Sequence, residues 1–469
     1  MLDVALDTPL PSRLEVGRGT ALFLRGRCRD TAGPIRDLEL TVDGEAQPLM
    51  AWGMPRGLLD PRRDAWWGMV RLGAVTETAV AMIGLRSIAG DGTPSKVRLG
   101  PLRLDPALEG IAVEPGASGG SRPDRPSIAI CMATYEPRLD LFRSQVDSIR
   151  GQTHDDWTCV LSDDASRPET VAAMRDVLGG DPRFRVDAHR DRLGPYRNFE
   201  RALRLAPSGA RHIAIADQDD RWYPEKLEVL QRRLHDPVKL VYGDMRVVTQ
   251  DGEVLSDTFW RYRRNNYTDF GSLIVANSVT GAASLFTRDL LAQVLPFPPL
   301  PGEALYDHWI AMVAMAAGEL AYVDRPLHDY VQHPGATLGH PGSNAGRGRS
   351  PIGAVDRALR VGRLAGRVVR PRARDRYFER YCQTLLAGAV LEAREDEMAP
   401  EKRAALERIT AVEESPRKAR WLTARALRSF FATSDTIGME RGLLVAVAWR
   451  WLTGLRGAGR SSARRRRRP

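Results

Sequence analysis

The stretch that decides the fold of this chain runs from His212 to Asp220 and reads His-Ile-Ala-Ile-Ala-Asp-Gln-Asp-Asp. Its first part, 212–216, has the length and apolar character of a buried strand, and a helix is predicted soon after it, from Glu225 to Leu234. Three carboxylates at a strand tip repel one another and resist desolvation, and a divalent cation removes that cost. Because Mg²⁺ is usually held by one or two carboxylates together with substrate phosphates, this pattern predicts a site for a metal and a diphosphate.

Strands and helices alternate from Ser127 onward. Strands are predicted at 128–132, 158–162, 184–186 and 212–216, and helices at 138–151, 168–178 and 195–205. Alternation at this spacing predicts an α/β fold with a mostly parallel, Rossmann-like sheet and right-handed crossovers. Ligands of such sheets bind beyond the carboxyl ends of the strands. Three polar clusters fall at those ends: Thr134-Tyr135-Glu136, Asp163-Asp164 and Asp217 to Asp220.

Residues 1–105 are predicted to form a separate β-sandwich-like domain. Alternating apolar residues lead into Asp43-Gly44, which is typical of a hairpin, and further strands are predicted at 66–70 and 75–85. Three tryptophans either stack on sugars, as in a carbohydrate-binding module, or fill the core, which is the commoner role: Trp52, Trp66 and Trp67.

Small residues and prolines at 115–123 predict a linker over residues 106–126, between the β region and an α/β domain at 127–345. The region 346–455 is predicted to be helical, and the segment 456–469 to be a basic, disordered tail. The predicted helices lie at 355–370, 377–394, 401–414, 417–428 and 442–455.

The composition is that of a globular protein of two or three domains: 469 residues, 43% hydrophobic and 27% charged. The formal net charge is +10, and seven arginines with no acid lie from Arg456 onward, so the rest of the chain carries +10 − 7 = +3. The bulk of the chain is therefore not expected to bind nucleic acid through its net charge.

Four cysteines occur far apart, without the spacing of a zinc site or of a disulfide framework: Cys28, Cys131, Cys159 and Cys382. This usage fits a reducing compartment, and the expected location is cytoplasmic. The first residues lack a basic start followed by an apolar core, and no uninterrupted apolar run is long enough for a transmembrane helix.

Residues from about 127 to 340 resemble the inverting family-two glycosyltransferases of the GT-A type. The resemblance rests on these segments, in this order: Cys131-Met132-Ala133-Thr134-Tyr135-Glu136-Pro137, Asp163-Asp164-Ala165-Ser166, Arg192-Leu193-Gly194-Pro195-Tyr196-Arg197-Asn198-Phe199, Asp217-Gln218-Asp219-Asp220-Arg221-Trp222, Thr280-Gly281-Ala282, Tyr306-Asp307-His308-Trp309 and Tyr330-Val331-Gln332-His333. The Asp-Gln-Asp-Asp-x-Trp and Asp-His-Trp forms look like the rhamnosyltransferase-like branch of bacterial surface-polysaccharide enzymes. The N-terminal β region and the C-terminal helices lie outside the segment that resembles this family.

The resemblance implies a metal site at the Asp-x-Asp motif. Asp219 matches the acid that binds Mn²⁺ or Mg²⁺ across the donor diphosphate, and Asp217 would contact the ribose or reach the metal through water. Asp220 is either part of the site or the N-cap of the following helix. His333 is a further candidate ligand, although a lone histidine is more often structural. It precedes a glycine-rich segment at 334–342 that suits a loop closing over bound donor.

The resemblance also implies a nucleotide site. Asp163 would accept a hydrogen bond from the base, while Asp164 and Ser166 either contribute or shape the turn. Thr134 and Glu136 would contact base and ribose. Two residues match a motif beneath the nucleotide or, alternatively, form a tight turn and a helix cap: Gly194 and Asn198.

Asp307 is the candidate catalytic base. It begins an apolar helical run, so the alternative is that it merely complements the helix dipole. The resemblance favours the base, which would take the proton of an attacking sugar hydroxyl. His308 and Trp309 would then line the acceptor pocket.

The predicted reaction is a single in-line displacement at the anomeric carbon of a nucleotide-diphospho-sugar, with inversion. The acceptor would be a glycan or a lipid-linked sugar, in cell-surface polysaccharide synthesis. The first rival is a nucleotidyltransferase of related fold, which would need a glycine-rich loop where Thr134-Tyr135-Glu136-Pro137 stands. The second is a non-catalytic carbohydrate-binding or scaffolding protein.

The segment from 440 to the end carries Trp449, Trp451 and the terminal arginines. It is predicted to attach the protein to the inner face of the plasma membrane, because basic residues near an anionic leaflet contribute about 1 kcal/mol each. The alternatives are an ordinary core helix and a nucleic-acid-binding tail.

Overall fold

The computed structural model describes residues 1–55, 62–106, 127–262, 264–302, 304–333, 373–392, 398–428, 436 and 438–455. The predicted linker at 107–126, the loop at 334–342, the helix at 355–370 and the tail at 456–469 lie outside these residues. In the described residues no helix is both long enough and apolar enough to cross a membrane.

The N-terminal region consists of two antiparallel-rich sheets that face each other. Its strands are β1 (Leu2–Leu6), β2 (Arg13–Glu15), β3 (Thr20–Asp30), β4 (Ile35–Val42), β5 (Glu45–Gln47), β6 (Leu49–Met54), β7 (Ala65–Leu72), β8 (Ala79–Ala89) and β9 (Pro94–Asp105). The sheets have the orders β1-β3-β7-β6 and β2-β9-β8-β4-β5. The predicted hairpin at Asp43-Gly44 is confirmed, with positive φ at both residues.

The tryptophans of this region belong to the core, as the commoner role predicted. Trp66 is fully buried between the two sheets, beside Leu40 and Ile83. Trp67, its neighbour in β7, points to the other face and is also buried. Successive residues of a strand face opposite sides, so one tryptophan fills the sandwich and the other packs against the rest of the chain.

The central region is α/β. Its elements are β10 (Ile128–Thr134), α1 (Leu139–Arg150), β11 (Trp157–Asp163), α2 (Pro168–Leu178), β12 (Phe184–Ala188), α3 (Pro195–Arg204), β13 (His212–Ala216), β14 (Arg221–Trp222), α4 (Lys226–Arg233), β15 (Val238–Thr249), β16 (Val254–Ser256), α5 (Phe270–Val275), β17 (Ser284–Thr287), α6 (Arg288–Val294), α7 (Tyr306–Ala317) and β18 (Glu319–Gln332). Short 3₁₀ turns occupy Phe259–Tyr262 and Gly281–Ala283.

The central strands form one mixed sheet in the order β12-β11-β10-β13-β17-β15-β18-β14, with β16 paired to β15. The four predicted strands are parallel to one another, as expected. The remainder differs from a mostly parallel sheet, because β17 runs antiparallel to both β13 and β15, whereas β15 and β18 are parallel. The sequence pattern missed this half, in which the helices between the strands vary from the six residues of α5 to the twelve of α7 and the β-α alternation is irregular.

The C-terminal region is helical, as predicted. A π-helical turn at Tyr377–Tyr381 leads into α8 (Cys382–Glu392), followed by α9 (Pro400–Thr410), a 3₁₀ turn at Val412–Glu414, α10 (Arg420–Arg428) and α11 (Met439–Leu455). All four cysteines are free and buried.

An aromatic cluster joins this region to the β-sandwich. The ring of Trp67 lies 5.1 Å from that of Phe378, 5.7 Å from that of Tyr377 and 6.3 Å from that of Trp449. Trp451 Nε1 donates to the Glu413 carbonyl over 2.8 Å. Trp449 and Trp451 are therefore packed against the rest of the chain, as in the core-helix alternative, and their predicted place in a membrane interface is not supported.

Candidate functional site

The site lies where β10, β11 and β13 end. Ile213 and Ile215 of β13 pack on one face of the sheet while Ala214 and Ala216 pack on the other, so the strand is buried until the chain emerges at Asp217. Gln218 fixes the emerging loop to the end of β10. Its Oε1 accepts from the Tyr135 backbone N–H over 2.9 Å, and its Nε2 donates to the Tyr135 carbonyl over 3.3 Å.

The charge of Asp217 is affected by two other carboxylates, those of Asp219 and Asp307. Its pKa is raised to about 7, mainly by burial and then by the charges of Asp219 and Asp307, whereas Lys226 acts in the opposite direction. Charges interact this strongly only over short distances. The carboxylates of Asp219 and Asp307 therefore lie near enough to Asp217 to affect its charge, in the region beyond the end of β13 that is called the cleft below.

Asp219 is paired with His333. The distance from Oδ2 of Asp219 to Nε2 of His333 is 2.8 Å, and the imidazole is largely buried while the carboxylate keeps some exposure. Among the residues described, no three His, Cys, Asp or Glu side chains converge as a complete metal site. A carboxylate and an imidazole suit Mn²⁺, and phosphate oxygens and water commonly fill the remaining positions of such sites.

Asp220 is neither an N-cap nor exposed to a ligand. Helix α4 starts after Glu225 without a side-chain cap, so the N-cap alternative is wrong. The Asp220 carboxylate is fully buried, and its Oδ1 accepts from the Val331 backbone N–H over 3.3 Å. Burial raises the pKa of Asp220, and the charges of Asp217 and Asp219 add to the effect.

Asp307 lies in the first turn of α7 and is half-buried. Its Oδ1 accepts from the backbone N–H of His308 over 2.7 Å, and its Oδ2 from that of Gly281 over 3.4 Å. Burial raises the pKa of Asp307 to about 6, although these N–H groups oppose the rise. A carboxylate with a pKa near 6 is ionised at neutral pH but is a stronger base than an exposed aspartate.

Tyr306 packs beside this carboxylate. Its ring stacks on that of Phe199, with centroids 3.6 Å apart, and a Cβ added to Gly281 would lie 2.3 Å from its hydroxyl oxygen. The close packing of Tyr306 against the Gly281 backbone requires glycine at this position. The turn at 281–283 thus holds both the tyrosine and the carboxylate next to it.

The residues predicted to bind the nucleotide are held by the protein itself. Asp163 is buried, and its Oδ1 accepts from the Ser166 N–H while its Oδ2 lies 3.4 Å from Oγ1 of the buried Thr134. Asp164 is also buried and accepts from the backbone N–H groups of Leu193 and Gly194. Both carboxylates shape loops in this state, so a base contact through Asp163 is not available in the structure as it stands.

Asn198 has a structural role. It is buried, its Oδ1 accepts from Ser162 Oγ over 2.7 Å, and its Nδ2 donates to the Thr134 carbonyl over 3.2 Å. Asn198 thus connects the ends of β10 and β11 from inside α3 and is neither a turn residue nor a cap, while its predicted place beneath the nucleotide stays a prediction. Gly194 is the N-cap of α3 with φ +78°, and a Cβ there would meet nothing within 4 Å.

Glu136 is tied to the loop after β11. Its carboxylate accepts from the Arg167 backbone N–H and guanidinium and from Thr170 Oγ1, and the Arg167 hydrogen bonds lower its pKa. Both oxygens are engaged, which leaves the predicted ribose contact a prediction. At the rim of the cleft, the Arg192 guanidinium lies 3.8 Å from the ring centroid of Tyr135.

The predicted acceptor residues differ from expectation. Trp309 is fully buried and its indole N–H donates to the Val294 carbonyl over 2.9 Å, so its assignment to the acceptor pocket is wrong. The run after Asp307 is apolar all round, and a large ring in it belongs to the core. His308 Nε2 lies 2.6 Å from the Leu273 carbonyl, which directs the imidazole toward α5.

Sequence reasoning gave no role to Tyr306, Lys226 or Gln218. Tyr306 and Gln218 lie inside the quoted motifs, next to the acids that drew attention. Nothing in the sequence marks Lys226, because a lysine in the first turn of a helix is ordinarily exposed. Its burial could be recognised only once α4 was placed under the sheet.

Residues 129–295 match the family model described as Glycosyl transferase family 2. An uncharacterized glycosyltransferase of Methanocaldococcus jannaschii is 20% identical over 195 residues, 41% of this chain and 66% of that protein. The Putative teichuronic acid biosynthesis glycosyltransferase TuaG of Bacillus subtilis is 26% identical over 172 residues, 36% of this chain and 66% of that protein. The matches cover 14% to 66% of the length of the four curated relatives.

Solved structures with a similar arrangement include the mannosyltransferase PcManGT of Pyrobaculum calidifontis in complex with GDP-Man and Mn²⁺. It is 17% identical, with a TM-score of 0.34, and the match covers 71% of this chain and 87% of that one. TarS of S. aureus, residues 1–349, is 12% identical with a TM-score of 0.39, over 70% of this chain and 90% of that one. These scores mark distant structural neighbours.

Proposed function

We propose that this chain, whose residues 129–295 form a family-two glycosyltransferase domain with the GT-A type of fold, transfers a sugar from a nucleotide-diphospho-sugar to a hydroxyl group, with inversion at the anomeric carbon. The observation that carries the proposal is the convergence of Asp217, Asp219 and Asp307 on one cleft. A structural role alone does not account for a half-buried Asp217 whose pKa is raised by burial and by the charges of Asp219 and Asp307.

The donor side of the cleft is formed by Asp219 and His333, the residues that would hold Mn²⁺ or Mg²⁺. When bound, the cation supplies Lewis-acid stabilisation of the departing diphosphate. Asp217 is near this pair, and the charge of Asp219 adds to the burial that raises its pKa. The donor set therefore fits a divalent cation that arrives together with a diphosphate.

The acceptor side is formed by Asp307. In the proposed reaction, the acceptor hydroxyl transfers its proton to an Asp307 carboxylate oxygen while its own oxygen forms the bond to the anomeric carbon. The bond from that carbon to the diphosphate oxygen breaks in the same step, and one displacement inverts the configuration. The backbone N–H groups of Gly281 and His308 hold the carboxylate in place for this transfer.

The acceptor is proposed to be a glycan or a lipid-linked sugar of a cell-surface polysaccharide. The support is the similarity to TuaG, whose name refers to teichuronic acid biosynthesis. With α11 packed in the core, the proposed membrane contact is restricted to the arginine-rich segment 456–469. Liposome flotation of the full chain and of a chain ending at 455 tests it, and equal flotation would exclude it.

The test of the proposed function is a panel of sugar nucleotides incubated with the full chain and Mn²⁺, with release of free nucleoside diphosphate as the readout. We expect one donor to be consumed and Asp219→Ala to abolish its consumption. Asp3→Ala, at an exposed position of β1, is the control and should behave like the wild type. If no donor is consumed, or if Asp219→Ala remains fully active, a non-catalytic carbohydrate-binding role becomes the better explanation. Release of inorganic pyrophosphate instead would indicate a nucleotidyltransferase.

A further inference from the structure

A lysine is buried beneath the cleft, where the fold gives it few partners. Lys226, the first residue of α4, is 1% exposed. Its Nζ donates to the Ala282 carbonyl over 2.5 Å, lies 3.4 Å from Nδ1 of His328 and stands 3.9 Å from the ring centroid of Trp222. Burying an ammonium group costs several kcal/mol unless it is well compensated, so such a residue usually has a purpose.

The hydrogen bond to Ala282 connects Lys226 to the proposed base. Ala282 lies in the 3₁₀ turn Gly281–Ala283, and the Gly281 N–H in the same turn faces Oδ2 of Asp307. Ser284 Oγ donates to the Gly281 carbonyl and closes this turn from the other side. Lys226 therefore fixes, through the Ala282 carbonyl, the same turn whose Gly281 N–H orients Asp307.

The charge of Lys226 acts on the other half of the cleft. It opposes the rise in pKa of both Asp217 and Asp220, so it lies close enough to compensate part of their charge. His328 does not share this role, because burial lowers its pKa well below the ordinary value and leaves it neutral. Burial also lowers the pKa of Lys226, to about 7, although the charges of Asp220 and Asp217 oppose the fall, so Lys226 compensates these carboxylates only in its protonated form.

We propose that Lys226 is a positioning residue for the transfer reaction: through the Ala282 carbonyl it anchors the 281–283 turn that aligns Asp307. The inference rests on the proposed function for the chemistry of Asp307. The connection from Lys226 to Asp307 through the 281–283 turn is independent of which sugar is transferred.

Lys226→Met is the test variant, because methionine keeps an unbranched apolar stem beside Trp222 and removes the donor and the charge. Lys402→Met is the matched control. Lys402 is also largely buried and donates to a backbone carbonyl, that of Gly318, and to Glu319, in the C-terminal helices. Both variants should lose stability, but only Lys226→Met should affect Asp307.

The first readout needs no activity: ¹³C NMR titration of aspartate carboxyl groups in the unliganded full chain, with the Asp307 signal assigned by its loss in Asp307→Asn. Losing the anchor weakens the Gly281 N–H···Asp307 bond, which favours the protonated carboxyl. The midpoint of the Asp307 titration should therefore rise by roughly half a pH unit or more in Lys226→Met. It should not move in Lys402→Met. An unchanged midpoint in Lys226→Met would overturn the proposal even if the wild type proved inactive.

The second readout is the kinetics of donor consumption, below the melting midpoints of both variants. We expect kcat to fall on the order of 10-fold or more in Lys226→Met, with little change in the donor KM and with the acid limb of the pH profile displaced upward. Should Lys226→Met fail to fold, Lys226→Arg is decisive, because a planar guanidinium cannot reproduce the single contact with Ala282. We expect a raised Asp307 midpoint and a lowered kcat there. If the Asp307 midpoint and the pH profile of Lys226→Arg equal those of the wild type, the anchoring role is refuted.

Discussion

The imidazole Nε2 of His333 lies 2.8 Å from Oδ2 of Asp219, although 114 residues separate them in the chain. Asp219 follows β13, while His333 follows β18 at the far side of the sheet, where β14 pairs with β18. The pair therefore closes the cleft between the two halves of the sheet. A metal held there would tie the ends of β13 and β18 together.

His333→Gln is expected to raise the Mn²⁺ concentration needed for half-maximal activity on the order of 10-fold or more, because even partners outside a coordination shell are typically worth about 10–100-fold in metal affinity. Direct Mn²⁺ binding, followed by electron paramagnetic resonance with nucleoside diphosphate present, should weaken in parallel. His235→Gln, at an exposed histidine, is the control. Equal Mn²⁺ affinity in His333→Gln and the wild type would show that His333 only orients Asp219.

Asp307→Asn tests the general base against the helix-dipole alternative. Loss of the base should lower kcat by roughly 10²–10⁴-fold with little change in donor KM. Asp289→Asn is the matched control, because Asp289 also lies in the first turn of a helix, α6, and bonds Lys239 at a distance from the cleft. Since burial raises the pKa of Asp307 to about 6, wild-type kcat should rise with pH through about 6 as the carboxylate ionises. Similar losses in the two variants would leave Asp307 a dipole-complementing residue.

The stability of the metal-free protein should fall as the pH rises from about 4 to about 7. Burial and neighbouring carboxylates raise the pKa of Asp217 to about 7, whereas an unfolded aspartate titrates near 3.9. Over this window the folded state binds more protons than the unfolded state, so the free energy of unfolding decreases with pH. Asp217→Asn should melt a few degrees higher than the wild type near pH 8 and differ little near pH 4.

This comparison is made by calorimetry with a chelator present. The exposed-position variant Asp3→Asn should follow the wild-type pH dependence throughout. If the stability of Asp217→Asn depends on pH as that of the wild type does, then the Asp217 carboxylate does not destabilise the folded state.

Gly281→Ala should impair activity more than stability. A Cβ at this position would lie 2.3 Å from the Tyr306 hydroxyl oxygen and 2.6 Å from Cε2 of its ring, so Tyr306 and the adjacent Asp307 must shift. A displacement of about 1 Å at a reacting group costs on the order of 10²-fold in rate. Gly73→Ala provides the control, since a Cβ there would meet nothing within 4 Å. Rates within about twofold of the wild type in Gly281→Ala would mean that Tyr306 relaxes without moving the base.

Trp67→Ala should destabilise the whole chain rather than the β-sandwich alone. The Trp67 ring packs against Tyr377 and Trp449, and its Nε1 donates to the Tyr377 hydroxyl over 3.2 Å. Truncating a buried tryptophan costs about 3–5 kcal/mol, and Trp67→Phe should cost less. Calorimetry should show one transition at a lower temperature. Separate melting of the sandwich in the wild type would contradict a shared core.

The sequence predicted the parts of the fold that repeat locally. Alternation of apolar strands with amphipathic helices located β10 to β13 and α1 to α3 to within a few residues, because backbone periodicity is encoded by neighbouring side chains. The strands β17 and β18 were not predicted. Their positions depend on pairing between residues far apart in the chain, which no local pattern records.

The candidate site divides in the same way. The sequence identified Asp217 and Asp219, because clustered acids at the end of an apolar strand are costly without a ligand, and the resemblance to family-two glycosyltransferases singled out Asp307. Whether a polar residue faces the cleft or the interior was decided by tertiary packing: Trp309 and Asn198 turned inward, and Lys226 was buried beneath the turn that holds the base. The physical reason is that a side chain's chemistry is set by its covalent structure, whereas its exposure and partners, and therefore its pKa, are set by which distant elements pack around it.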